Sequence, residues 1–151
     1  MKQPADRDIE CSIVIPVYNQ CHYTRRCLET IQQCTGDVRY EVIVVDDGSS
    51  DETKEFLTTL VPPFRSIRNT SNRGFVASVN RGASETTGKY LMILNNDTEA
   101  RPRWLREMID LLQTDPSVGI VGAKLLYPDG TVQHFGIEIN HDLVPFHQHR
   151  G

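Results

Sequence analysis

The chain reads as an α/β protein with a mostly parallel sheet and helices on both faces. Apolar β-type runs alternate with helical stripes almost without interruption, joined by short connections, which is the pattern of right-handed crossovers between parallel strands. Three of the runs lead directly into short polar segments: Pro16-Val17-Tyr18-Asn19, Asp46-Asp47-Gly48-Ser49 and Asn95-Asn96-Asp97. In such sheets ligands bind outside the carboxyl ends of the strands. Three polar tips there, two bearing carboxylates, are the parts needed to hold a nucleotide diphosphate and a divalent metal.

Taken in order, Cys11–Pro16 predicts a buried strand, because Ile13, Val14 and Ile15 are consecutive and apolar. Tyr23–Cys34 predicts a helix with Cys27, Leu28 and Ile31 on one face, stopped by Gly36. Tyr40–Asp46 predicts the second strand, β-branched through Val42-Ile43-Val44-Val45 and suited to burial on both faces. Ser50 is the expected N-cap of a helix over Asp51–Leu60, with Asp51 and Glu52 at its positive end and Pro62-Pro63 beyond it. A short strand follows at Phe64–Arg68, then a helix over Gly74–Ser84, which Gly88 separates from the strand Tyr90–Leu94.

Pro102 suits a first helical position. Trp104, Leu105, Met108, Leu111 and Leu112 give the stripe of a helix that Pro116 closes. Val118–Leu126 predicts another strand. The turn chemistry of Tyr127-Pro128-Asp129-Gly130-Thr131 predicts a C-terminal hairpin returning over Val132–Ile139. The tail His141–Gly151 shows no periodicity and is expected to be irregular.

Composition narrows the function classes. The 151 residues suffice for one domain and one core. The net charge of −4 argues against nucleic acid and against adhesion to an anionic membrane. No apolar run approaches the roughly 20 residues of a membrane span. Residues 1–10 read as a polar leader without the apolar stretch of a secretory signal. A cytoplasmic location is expected, with any association with the inner face of the membrane left to a longer parent chain. Cys11, Cys21, Cys27 and Cys34 lack metal-site spacing and read as reduced thiols on the first strand and helix. In a cytosolic chain the sequons at Asn69 and Asn96 carry no meaning.

The polar tips admit two readings each. Asp46-Asp47-Gly48-Ser49-Ser50-Asp51 is either a turn entering a capped helix or a loop lending a carboxylate to a nucleotide base. An ionised carboxylate only accepts hydrogen bonds, so it suits the ring N–H of uracil, thymine or guanine. Asn95-Asn96-Asp97 is either a plain loop or a metal site. In the second reading Asp97 is an oxygen ligand for Mg²⁺ or Mn²⁺, completed by substrate phosphates and water, and Asn95 and Asn96 offer neutral contacts to ribose and phosphate. Gly82-x5-Gly88-Lys89 has the wrong spacing and context for a phosphate loop. No G-x-G-x-x-G or G-x-S-x-G occurs, which counts against a dinucleotide reductase and an α/β-hydrolase. Four histidines lie at His134, His141, His147 and His149. His134, in the hairpin expected beside the metal site, is the one of interest.

Read together, these blocks resemble the family 2 glycosyltransferases, whose fold is the GT-A nucleotide-diphospho-sugar transferase fold. The similarity runs from Cys11 to about Ile139. It takes in Val14–Asn19, Val44–Asp51, Asn72-Arg73-Gly74-Phe75, Asn80-Arg81-Gly82 and Leu94–Thr98 in order. The block Gly119–Gly130 is similar to the rhamnosyl- and galactofuranosyl-transferase-like branch. The resemblance implies that Pro16 and Tyr18 line the base pocket, that Asp47 binds the base while Asp46 supports the loop, and that Asn19, Asn72, Asn95 and Asn96 join the donor-binding set. It makes Asp97 the metal ligand, standing for the last carboxylate of the family's D-x-D element, with Asn95 in place of the first.

The implied reaction is metal-assisted, inverting transfer of a sugar from a UDP-, dTDP- or GDP-linked donor to a glycan or lipid-linked acceptor, in cell-surface polysaccharide or glycan biosynthesis. The family's general base lies in an acidic segment before an amphipathic helix, and no such segment is found: Asp129 sits in a turn, Glu138 in a strand and Asp142 in the tail. The catalytic residue is therefore unassigned and the acceptor-binding half is expected to be missing. Exposed apolar surface left by that half predicts a homodimer. The alternative is a donor-half fragment that binds nucleotide-sugar without catalysis. A sugar-1-phosphate nucleotidyltransferase would need a basic glycine-rich loop where Val17-Tyr18-Asn19-Gln20 stands.

Overall fold

The computed structural model of the protein describes residues 9–139 and 145–147. The chain forms two compact units, Met1–Arg103 and Trp104–Gly151.

The first unit is a four-stranded parallel sheet in the order β3-β2-β1-β4, formed by β1 (Cys11–Val17), β2 (Tyr40–Asp46), β3 (Phe64–Arg68) and β4 (Tyr90–Ile93). Between them run α1 (Cys21–Cys34), α2 (Thr53–Leu57) and α3 (Phe75–Ala83). The central strands are apolar on both faces, and residues 13–15 and 42–45 are fully buried, as a sheet covered on both sides requires.

Register assigns the layers. Val14, Ile43 and Val45 share one face with Ile67. Helix α3 lies on that face through Gly82, where an added Cβ would collide with the Val14 and Val45 side chains. The other face takes α1 and α2. Ser66, in register with Val44, donates its hydroxyl to Leu57 O at 3.4 Å, and Arg25 of α1 stacks over the Phe56 ring at 4.0 Å. The chain steps from β1 through β2 to β3 in one direction, then crosses back to β4 on the other side of β1. Right-handed crossovers therefore put α3 opposite α1 and α2.

Several sequence expectations are corrected. Helix α1 begins at Cys21, two residues early, and α2 is only Thr53–Leu57. Ser50 does not cap α2, because its N–H and hydroxyl are drawn to Asn19 Oδ1 instead. Ile9 and Glu10 are not loose leader: Lys89 and Tyr90 donate their N–H groups to Ile9 O and Glu10 O, and Glu10 N donates to Arg39 O. Residues 1–8 of that leader lie outside the described residues.

Among the described residues, the second unit contains α4 (Trp104–Thr114) and four short strands. Arg103 adopts φ 66°, a left-handed turn that leaves Pro102 outside the helix. The buried stripe of α4 is Leu105, Met108 and Ile109, while Leu111 is exposed. The long strand expected over Val118–Leu126 reduces to β5 (Leu125–Leu126), and Ile120 is 92% exposed. Residues 118–124 pair with no strand among the described residues, and glycines at 119 and 122 disfavour one. The expected hairpin exists in small: β5 pairs antiparallel with β6 (Val132–His134) across a turn that Asp129 closes by accepting Thr131 N and Oγ1. Its continuation does not. Residues Ile137–Ile139 (β7) leave it to pair with β8 (Pro145–His147), so the tail is not wholly irregular. His134 stands opposite Leu125. His141, Asp142 and His149 lie outside the described residues. No helix among the described residues is long and apolar enough to cross a membrane.

Candidate functional site

Because all four strands of the first unit are parallel, their polar tips share one edge. The strand order reverses beside β1, so the crevice between the β1 and β4 tips is the topological switch point. Pro16 marks its opening. Leu94 N donates to Val14 O, so Val14, and Pro16 two residues on, direct their backbone groups toward β4. Pairing with β4 ends at Val14–Ile93, and the missing N–H of Pro16 falls where no ladder remains to be satisfied.

The β2 tip is held by two buried aspartates with different partners. Asp46 closes its own loop, accepting Ser49 N at 2.8 Å and pairing with the Arg68 guanidinium, which also donates to Ser49 O. Asp47, 4% exposed, reaches across to the β3–α3 loop. Its Oδ1 accepts Asn69 Nδ2 at 2.6 Å and Arg73 N at 2.9 Å, and its Oδ2 accepts Gly74 N at 2.8 Å. Burial alone would raise the Asp47 carboxyl. The donors from Asn69, Arg73, Gly74 and Ser78 outweigh it and hold the group below the ordinary carboxylate range. Gly48 (φ 80°) permits this clasp, since a Cβ there would meet Ser71 C at 2.9 Å and Asn72 N at 3.0 Å. Asn72 is exposed over it, its Oδ1 accepting Gly74 N at 3.0 Å.

The β1 tip leans on the β2–α2 loop. Asn19 N donates to Ser49 Oγ, and Asn19 Oδ1 accepts Ser50 N, both at 2.8 Å. The Asn19 side chain is thus engaged within the protein, while Tyr18 beside it is 50% exposed.

The β4 tip is pinned to α1. Asn96 Nδ2 donates to the buried Thr24 Oγ1 at 3.0 Å. Cys27 Sγ donates to Asn95 O at 3.8 Å, and Ala100 N donates to Thr30 Oγ1 at 3.0 Å. Arg26 adds an exposed ion pair to Glu99. Asp97 stands out: its carboxylate is exposed and makes no hydrogen bond or ion pair among the described residues. The same residues contain no group of three or more His, Cys, Asp or Glu able to hold a metal. A hard cation at Asp97 would have to take its remaining ligands from neutral oxygens, water and phosphate. Cys11 and Cys27 pack as buried thiols: burial pushes Cys11 up to about 12 and Cys27 up to about 11.

The structure thus gathers Pro16, Tyr18, Asn19, Asp47, Asn72, Asn95, Asn96 and Asp97 along one sheet edge. Sequence reasoning missed Asn69, Thr24 and the reach of Asp51. Asn69 had a readable signal, since it follows β3 as Asp47 follows β2. The weakly apolar β3 and the sequon reading hid it.

A parallel sheet covered on both faces, with polar strand tips and an exposed carboxylate unbonded among the described residues at its switch point, has the arrangement in which α/β proteins bind ligands. Residues 12–147 match the family model of Glycosyl transferase family 2, and the chain belongs to that family.

Among curated relatives it is 34% identical to the O-antigen biosynthesis protein RfbC of Myxococcus xanthus, over 92% of this chain and 11% of that one. It is 30% identical to the glycosyltransferase AglE of Haloferax volcanii, over 79% of this chain and 41% of that one. An uncharacterized protein of Sinorhizobium fredii is 36% identical, over 91% of this chain and 16% of its own length. The chain thus spans less than half the length of these relatives. A mannosyltransferase from Pyrobaculum calidifontis, solved in complex with GDP-Man and Mn²⁺, has the same fold at TM-score 0.70 and 23% identity, over 82% of this chain and 37% of that one. TarS of S. aureus, in complex with UDP-GlcNAc, matches at TM-score 0.63 and 20% identity, over 70% of this chain and 32% of that one. The fold is the GT-A α/β fold.

Proposed function

We propose that these residues bind the nucleotide-diphosphate-sugar donor of an enzyme that transfers a sugar to a glycan or lipid-linked acceptor with inversion, in cell-surface polysaccharide or glycan biosynthesis. The observation that carries this reading is Asp97, the exposed carboxylate at the β4 tip that is unbonded among the described residues, facing solvent at the switch point while the loop around it is tied to α1. Fold relatives solved with GDP-Man and Mn²⁺ and with UDP-GlcNAc support it. The Gly119–Gly130 block supports the rhamnosyl- and galactofuranosyl-transferase-like branch.

In this reading Asp97 holds Mg²⁺ or Mn²⁺ together with the donor's phosphates. The chemistry that such a cation supplies is neutralisation of charge on the departing diphosphate. Tyr18 and Pro16 border the base, and Asn95 and Asn96 face ribose and phosphate. Asp47 is the proposed acceptor for the ring N–H of the base. With Asn69, Arg73 and Gly74 already on its oxygens, Asp47 meets the base only if the 69–74 loop yields one of these bonds. The proton of the acceptor hydroxyl goes to a base for which these residues offer no candidate at the crevice.

Thermal shifts with UDP, dTDP, GDP and ADP, each with and without Mn²⁺, test the reading. Ligand at 100 times its dissociation constant adds about 2.7 kcal/mol. Metal-dependent stabilisation by one of the first three is expected. Equal response to ADP, or no response to any, overturns the donor site. Donor hydrolysis or transfer in the same samples separates an enzyme from a module that only binds.

A further inference from the structure

Helix α1 touches both halves of the crevice, and one residue from a neighbouring loop fixes its amino end. Gln20, the N-cap of α1, offers no side-chain cap, and both Asn19 and Gln20 are left-handed, at φ 56° and 59°. Two successive non-glycine residues in that region are uncommon and persist where surrounding bonds over-determine them. Those bonds come from the β2–α2 loop. Asp51 Oδ2 accepts Cys21 N at 3.2 Å, and Oδ1 accepts Thr53 N at 3.0 Å. The same loop grips the turn a second time, Ser50 N and Asp51 N donating to Asn19 Oδ1 at 2.8 and 3.4 Å. A carboxylate at the amino end of a 14-residue helix is also favoured by the helix dipole.

Downstream on the same helix, Thr24, Cys27 and Thr30 hold the loop that presents Asn95, Asn96 and Asp97.

We propose that Asp51 is a positioning residue of the donor site. By capping α1 from the adjacent loop it locks the left-handed Asn19–Gln20 turn, which sets Tyr18 on the nucleotide side. Through the helix it also registers the Asn95–Asp97 loop on the metal side. Asp51 aims at backbone N–H groups of α1 and α2, so it touches neither donor nor metal and acts through what it holds. This inference rests on the donor-binding reading above.

The test uses the full chain with Asp51→Ala and Asp51→Asn. Glu41→Ala serves as comparator, because Glu41 carries a comparable set of bonds at the opposite end of the same sheet, to Ser12 and Thr87. UDP, GDP and dTDP are titrated with Mn²⁺ by calorimetry where all variants are folded, and amide exchange is followed at Cys21 and Ser50.

Asp51→Ala is expected to weaken the nucleotide that wild type binds by about tenfold or more, with faster exchange at both amides. The asparagine variant keeps one acceptor and should recover part of the affinity; it also stands in should the alanine variant not fold. Glu41→Ala should lower stability and leave affinity within about twofold. Wild-type affinity in both Asp51 variants overturns the positioning role and leaves the donor site standing, as does an equal loss in Glu41→Ala. Wild type binding none of the three nucleotides overturns the donor reading itself, and this inference with it.

Discussion

Asn69 Nδ2 lies 2.6 Å from Asp47 Oδ1, with both side chains buried, so the tip of β3 is bound to the tip of β2 by a charge-assisted hydrogen bond. Asn69 is itself shared, donating to Ser78 Oγ of α3 at 3.1 Å and accepting from Arg81. One amide therefore ties two strand ends to the helix that follows. Asn69→Ala should destabilise the first unit by about 1.5–3 kcal/mol, the range for a lost hydrogen bond to a charged group. Urea unfolding with an unchanged slope would show it. A loss within about 0.5 kcal/mol would mean that the loop is held without this bond.

Two glycines make the opposite kind of prediction, from space instead of bonds. Gly48→Ala must place a Cβ 2.9 Å from the Ser71 backbone carbon at φ 80°, where neither the loop nor the residue can give. A loss of about 1–3 kcal/mol is expected. Gly82→Ala gains about 1 kcal/mol of helix propensity but overpacks Val14 and Val45, both fully buried. Overpacking costs about 1–3 kcal/mol, so the net effect should be destabilising. Gly36, with nothing within 4 Å of a built Cβ, is the control, and its alanine variant should unfold at or above the wild-type midpoint.

Acid should unfold the first unit by a route its carboxylates define. Asp47, Asp51 and Glu41 are all held below their ordinary values. Burial opposes this in each, and it is outweighed by hydrogen bonds, joined at Glu41 by the Arg65 charge. A depressed folded-state value contributes stability that is present above the unfolded value, about 3.9 for Asp and 4.3 for Glu. That stability is lost as pH falls through the folded value. Urea midpoints should stay flat from about pH 7 to 5 and fall below about pH 4. The double variant Asp47→Asn/Asp51→Asn should start lower and fall less steeply. An unchanged slope in that variant would assign the acid sensitivity elsewhere.

What the sequence made legible was whatever is local. Strands β2 and β3 have the predicted bounds and β1 and β4 differ by a residue, because runs such as Val42-Ile43-Val44-Val45 carry their own signal. Helix starts were misplaced because their caps come from afar. Cys21 N finds its acceptor 30 residues later in Asp51, and Ser50, a good local cap by type, is spent on Asn19. The polar tips were visible as residues but not as partners: nothing in Asp46-Asp47 says that one pairs with Arg68 and the other with Asn69. Strand 118–126 failed for the complementary reason, since β-branched residues state a preference and a ladder needs a neighbour.

Asp97 is where stability and function should part. Asp46, Asp47, Asp51 and Glu41 are committed to the fold, whereas Asp97 is exposed and unbonded among the described residues. Its loop is carried by Thr24, Cys27 and Thr30 without it. Asp97→Ala should therefore unfold within about 0.5 kcal/mol of wild type in the absence of ligands. If Asp97 holds the cation, the variant should lose the Mn²⁺-dependent part of nucleotide stabilisation and keep whatever part nucleotide gives alone. Asp97→Asn separates charge from shape, because an amide oxygen keeps the geometry but drops the negative charge that a hard divalent ion requires. Thermal shifts over a Mn²⁺ titration distinguish the cases. A right-shifted titration in the asparagine variant and none in the alanine variant would make Asp97 a metal ligand. Full metal response in both would place the cation elsewhere and reduce Asp97 to a surface residue of the loop.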